Sequence, residues 1–174
     1  MKRFVPLLLA GILLLILQTT WLSFFPIQRI RPDILLIFTL YLAFLFPPIL
    51  GGTLAFFMGY LMDVFSGNTL GFYTLSRTLV FFATQFFKER FYLEGFSFQF
   101  LFAFIFSILE GGLLLVLING LDPVSFENLY RSLLTFLLPQ SFCTGLVAPL
   151  LFLLFKKGTS FLFTQPEQGI KARG

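Results

Sequence analysis

Three ionisable side chains stand inside apolar sequence, Asp63, Arg77 and Glu110, and any chemistry this chain performs has to be sought around them. An ion at the centre of a bilayer costs about 2.5 to 3.5 kcal/mol, so each of the three needs a partner or water. Counting back from the outer end of each apolar run at about 1.5 Å per residue puts Asp63 at about 5 Å depth, Arg77 at about 10 Å and Glu110 at about 12 Å. Gln18 and Gln140 come out at about 10 to 12 Å by the same count. Five polar side chains from five helices thus share one layer of the outer leaflet. We expect Arg77 to pair with Glu110 at matched depth, and Asp63 either to join them or to cap the turn from Ser66 to Thr69.

Such a layer either glues helices together or lines a ligand pocket or an ion path, and the residue types leave both open. Catalysis is a poor fit. A carboxylate pair can act as acid and base, but Asp63 and Glu110 differ by about 7 Å in depth. The chain has no His and a single Cys, Cys143. It therefore holds no thiol pair, His-containing zinc cluster or Cys-His nucleophile. The expectation is no enzyme, no metal and no cofactor.

The elements that position these groups are set by composition. A chain that is 57% hydrophobic and 11% charged has too little polar surface for a water-soluble globule, so an integral membrane protein is expected. Six spans of about 20 residues nearly exhaust its 174 residues. The fold expected is an all-α bundle of six transmembrane helices, at about 4–25, 34–48, 49–66, 70–87, 96–118 and 132–155, within a membrane domain 1–157 and before a short cytoplasmic tail, 158–174.

The first run is longer than a signal-peptide core and has Gln18-Thr19-Thr20-Trp21 where a cleavage site would stand, so it reads as an uncleaved helix. The second, Ile34 to Phe46, is short at about 20 Å against a hydrocarbon core of about 30 Å. It must borrow length from Pro47 to Leu50 or sit in thinned bilayer. Gly51, Ala55, Gly59 and Asp63 recur every four residues on the third, a small-residue stripe suited to close packing against another helix, of this chain or of a partner. On the fifth, Ser107, Glu110 and Gly111 share a face, and Asn119 to Pro123 should break the helix. Pro139 and Pro149 should kink the sixth, Lys156-Lys157 should stop it, and Phe161 to Phe163 should lie at the interface. The 28 Phe residues read as lipid-facing bulk and helix packing.

The net charge is +4, and the basic residues flank the spans rather than form a patch, so topology explains them better than nucleic acid does. Six spans put Lys2, Arg3, Lys88, Arg90, Lys156, Lys157, Lys171 and Arg173 on one side and only Arg29, Arg31 and Arg131 on the other. The positive-inside rule then places both termini in the cytoplasm.

One stretch carries a resemblance. Arg31-Pro32-Asp33 enters an apolar run, Gly59 and Asp63 lie four apart at a helix end, and Ser66-Gly67 and Leu70-Gly71 open the next helix. In these motifs, and in its length and span count, the chain resembles the MreD family of bacterial rod-shape proteins. The resemblance implies a non-enzymatic, multispan inner-membrane protein that binds MreC. It also implies work beside the MreB filament, the RodA glycosyltransferase and a penicillin-binding transpeptidase in lateral peptidoglycan synthesis. Phe46-Pro47-Pro48 departs from the basic turn usual in that family, and Arg77 brings a charge where an uncharged residue is expected. The alternative is the substrate-binding subunit of a vitamin or other small-molecule transporter, a compact six-helix protein of similar general fold. Such subunits usually need a longer outer lid than the short loops of this chain supply.

Overall fold

The computed structural model describes residues 4–21, 32–66, 71–88, 95–121 and 133–163. They form α1 (Phe4–Trp21), α2 (Ile34–Leu45), α3 (Pro48–Ser66), α4 (Phe72–Phe87), α5 (Phe96–Leu121) and α6 (Leu138–Phe163), the last entered through a π-helical turn at Leu133–Leu137. Among the described residues all regular structure is helical. Three helices are long and apolar enough to cross a membrane, over Pro48–Ser66, Phe96–Gly120 and Thr135–Thr159. Apolar stretches of α1 and α2 are shorter, Val5–Thr20 and Ile34–Leu45.

The bundle is built around its shortest helix. α2 touches all five others, and every residue from Leu35 to Ala43 is buried. A helix apolar on all sides has no preferred face and belongs in the interior. The expectation that α2 borrows Pro47 to Leu50 is corrected: it ends at Leu45, and α3 starts at Pro48, where a missing N–H does no harm at the first helical position. At 12 residues it is about 18 Å long. It is sheathed in protein, so it need not match the bilayer by itself.

Around it, α1, α3, α4, α5 and α6 turn apolar side chains outward, among them Leu9, Leu13, Phe56, Phe82, Ile105 and Leu150. α2 exposes only Leu45 as a large apolar side chain. Between α2 and α6, Phe38 meets Phe155 edge-on with ring centroids 5.3 Å apart, and the Tyr41 and Thr159 hydroxyls lie 2.7 Å apart. Phe residues therefore serve both roles expected of them, core and outer surface.

Small residues set the tightest helix contact. A Cβ added at Gly59 would come within 2.6 Å of Thr74 Cα and 2.7 Å of the Tyr73 carbonyl oxygen, so α3 and α4 touch backbone to backbone. One at Gly51 would meet the Phe81 ring at 2.5 Å. With Ala55 fully buried between them, the Gly51, Ala55, Gly59 stripe packs inside the bundle against α4.

Two further helix ends differ from expectation. α5 continues through Asn119-Gly120 to Leu121, since both residues keep the backbone N–H that a proline lacks; Asp122 and Pro123 lie outside the described residues. α6 runs past Lys156-Lys157 to Phe163, since Lys is a good helix former and does not terminate a helix by charge alone. It therefore crosses the 157/158 boundary expected for the tail. Pro149 is accommodated within α6, whereas the π turn falls just ahead of Pro139, where a wider turn gives room to the carbonyl that the ring would crowd. Residues 22–25, Arg31, 67–70 and Ser132 lie outside the described residues.

Candidate functional site: a buried polar knot at the start of α2

A helix leaves its first four N–H groups unpaired, and in an apolar bundle each must find an acceptor. At the start of α2 the neighbouring helices provide them. Asp33 is the N-cap, its Oδ1 accepting from the Leu36 N–H at 2.9 Å. Gln18, near the end of α1, accepts from the Leu35 N–H at 3.0 Å through Oε1, and its Nε2 donates to Asp33 Oδ1 at 3.4 Å. From α6, Thr144 Oγ1 accepts from the Asp33 N–H at 3.1 Å while donating to the Gln140 carbonyl at 2.8 Å.

Arg77 closes the knot from α4. Its Nη2 donates to Asp33 Oδ2 and touches Met62 Sδ at 3.5 Å. Its Nε lies 2.9 Å from Glu110 Oε1 on α5. That second contact is within ion-pair distance but is not a directed hydrogen bond, since neither atom has a well-aimed partner among the described residues. Arg77 is 0% exposed and Glu110 3%. Arg77 is thus a buried cation held between two buried acids, with side chains from α1, α2, α4, α5 and α6 joined around it.

Asp63 builds a second, separate site at the end of α3. Its Oδ2 accepts from the N–H groups of Gly71 at 3.0 Å and Thr74 at 2.9 Å and from the Thr74 hydroxyl at 2.5 Å, and its Oδ1 accepts from the Tyr73 N–H at 2.9 Å. These are orphan donors of the first turn of α4. Gly71 enters that turn at φ 105, a left-handed conformation that suits glycine. Of the two roles expected for Asp63, the structure gives a capping one, displaced onto α4 itself; its described hydrogen bonds do not reach Arg77. The Gln140 side chain has no described hydrogen bond to either site. Thr144, one turn further along, stands where Gln140 was expected.

The far end of α2 is closed in the same way. Gln85 Nε2 on α4 donates to the carbonyls of Ala43 at 2.7 Å and Phe46 at 2.8 Å. Sequence reasoning singled out Asp33 as a motif residue and helix start but left it out of the polar layer, because it sits at the edge of an apolar run rather than inside one. A short span with Asp at its entry was the available signal. Among the described residues no three His, Cys, Asp or Glu side chains group as metal ligands.

Residues 1–159 match the family described as rod shape-determining protein MreD. The chain belongs to the MreD family. It is therefore a rod shape-determining membrane protein, a structural component of the cell-shape system. No curated protein and no solved structure matches it. Several of the residues that carry the MreD resemblance now have positions in the fold. Asp33 ties α2 to Arg77, Gly59 brings α3 onto α4, and Asp63 caps α4 through Gly71. Pro32 is half-buried beside the knot, and Ser66 is exposed at the end of α3. Arg31, Gly67 and Leu70 lie outside the described residues.

Proposed function

We propose that this MreD-family chain is a six-span, non-enzymatic scaffold of the bacterial cytoplasmic membrane, with both termini in the cytoplasm. It binds MreC and supports lateral peptidoglycan synthesis beside MreB, RodA and a penicillin-binding transpeptidase. The observation that carries this reading is the use of the motif residues. Asp33, Gly59 and Asp63 are all engaged in holding helices to one another and are all buried. That suits a rigid platform whose partners read its outer surface. The topology is supported by the arrangement of polar ends: α4 starts beside the knot and finishes at Lys88, and α6 passes Thr144 before reaching Lys156-Lys157. The cation-rich end of the bundle is thus opposite the knot, as the positive-inside rule requires for an outward-lying polar layer.

The polar knot is, in this reading, the structural centre of the scaffold, and the packing of the small-residue stripe against α4 leaves partner contacts to other faces. The test is affinity purification of the tagged chain from its native membranes in mild detergent, with mass spectrometry of proteins and small molecules. MreC and wall-synthesis enzymes without a bound metabolite are expected. A stoichiometric vitamin, or an ATPase with its transmembrane coupling subunit, would overturn the scaffold in favour of the transporter subunit.

A further inference from the structure

Two carboxylates and one guanidinium meet at Asp33, Arg77 and Glu110. With both acids ionised the buried group carries one uncompensated negative charge. Apolar surroundings penalise net charge severely, and acids sharing a site resist ionising together.

The two acids are not equivalent. Asp33 accepts from the Leu36 N–H, Gln18 Nε2 and Arg77 Nη2, and it sits at the N-terminus of α2, where the helix dipole favours negative charge. Glu110 is in the interior of α5, away from either terminus. Its Oε1 faces Arg77 Nε at 2.9 Å but receives no directed hydrogen bond among the described residues. The other groups around it do not alter the count. α4 contributes Arg77 and the phenol of Tyr73, and α2 contributes Asp33. α6 carries no charged residue between Leu138 and Phe155 and brings the hydroxyls of Ser141 and Thr144 into the interior. Asp63 on α3 is occupied with the α4 cap.

We propose that this cluster is a proton-binding site, in which Asp33 remains the ionised partner of Arg77 and Glu110 takes up one proton. The proton passes from hydronium of the aqueous phase: one O–H bond of the hydronium breaks, leaving water, as one O–H bond forms on the Glu110 carboxylate, and the three-residue group becomes neutral. This goes beyond the scaffold reading and does not depend on any partner. The folded bundle then holds a proton that the unfolded chain does not hold at neutral pH, so stability falls as pH rises.

The test is infrared spectroscopy of the full chain in lipid nanodiscs at neutral pH. A protonated-carboxyl stretch is expected, shifted by carboxyl-labelled glutamate and not by carboxyl-labelled aspartate, and absent from Glu110→Gln. Absence of that band from the unsubstituted protein, or its response to aspartate label, would overturn the assignment. Thermal unfolding in the same bilayers gives an independent arm. The midpoint should drop between mildly acidic and mildly alkaline pH in the unsubstituted chain. A midpoint insensitive to pH but raised by sodium relative to choline would mean that a metal cation neutralises the site, and the proposal would fail.

Discussion

Asp33 and Asp63 are both buried, and they are held in two different ways. Asp63 is surrounded by neutral donors, three of them backbone N–H groups, all supplied by residues eight to eleven positions along the chain. Asp33 takes one backbone N–H from its own helix and otherwise depends on side chains from α1 and α4, Arg77 above all, and its own N–H rests on α6. The first arrangement closes a hairpin between consecutive helices. The second joins helices distant in sequence and brings a cation into the interior. A carboxylate satisfied by local dipoles can be changed with local damage, whereas one satisfied by a buried charge leaves that charge stranded when it goes.

That contrast can be broken most severely at Arg77. Arg77→Leu leaves Asp33 and Glu110 buried without a cation, and the loss should be about 3 to 5 kcal/mol, as for other buried pairs stripped of one partner. Unfolding in mixed micelles measures it; a loss below about 1 kcal/mol, the level of an exposed pair, would show that the knot is not holding the bundle.

Asp63→Ala should cost less, about 1 to 3 kcal/mol for stranded buried donors, and the damage should be confined. Hydrogen exchange should quicken at Gly71, Tyr73 and Thr74 and stay slow at Leu35 and Leu36. Equal quickening at both sites would erase the distinction between a local and a long-range aspartate.

Gly59→Ala sharpens the comparison within the hairpin. Its new methyl meets α4 backbone, and overpacking of this kind costs about 1 to 3 kcal/mol. Gly112→Ala serves as the reference, because an added Cβ there has nothing within 4 Å. That change should be neutral or gain up to about 1 kcal/mol from helix propensity. Matching losses at the two glycines would show that close approach is not what Gly59 provides.

The same contrast explains what could be read from the sequence. The local features were legible: apolar runs mark all six helices, the four-residue recurrence of Gly51, Ala55 and Gly59 marks a packing stripe, and Asp63 beside a Ser-Gly turn marks a cap. Depth counting also put Arg77 and Glu110 at one level, and the structure sets them 2.9 Å apart. What depth counting could not supply is azimuth. Gln140 and Thr144 are one turn apart on α6, yet the hydroxyl of Thr144 meets Asp33 and the Gln140 side chain does not. Nor could hydropathy reveal that the shortest apolar run is the central one, because burial inside protein and burial in lipid select the same residues. Helix ends slipped for a related reason: Lys156-Lys157 and Asn119-Gly120 weaken a hydropathy signal without ending a helix.

The central claim is that the Asp33 and Arg77 charges hold α2 and α4 together at the core of this MreD-family protein. A double-mutant cycle with Asp33→Asn and Arg77→Gln tests it directly, since Asn remains a good N-cap and removes only the charge. Coupling of about 2 to 3 kcal/mol in reversible unfolding from bicelles is the result this account predicts, at the upper end for directly interacting residues. Additivity within about 0.5 kcal/mol, as for distant independent sites, would contradict it.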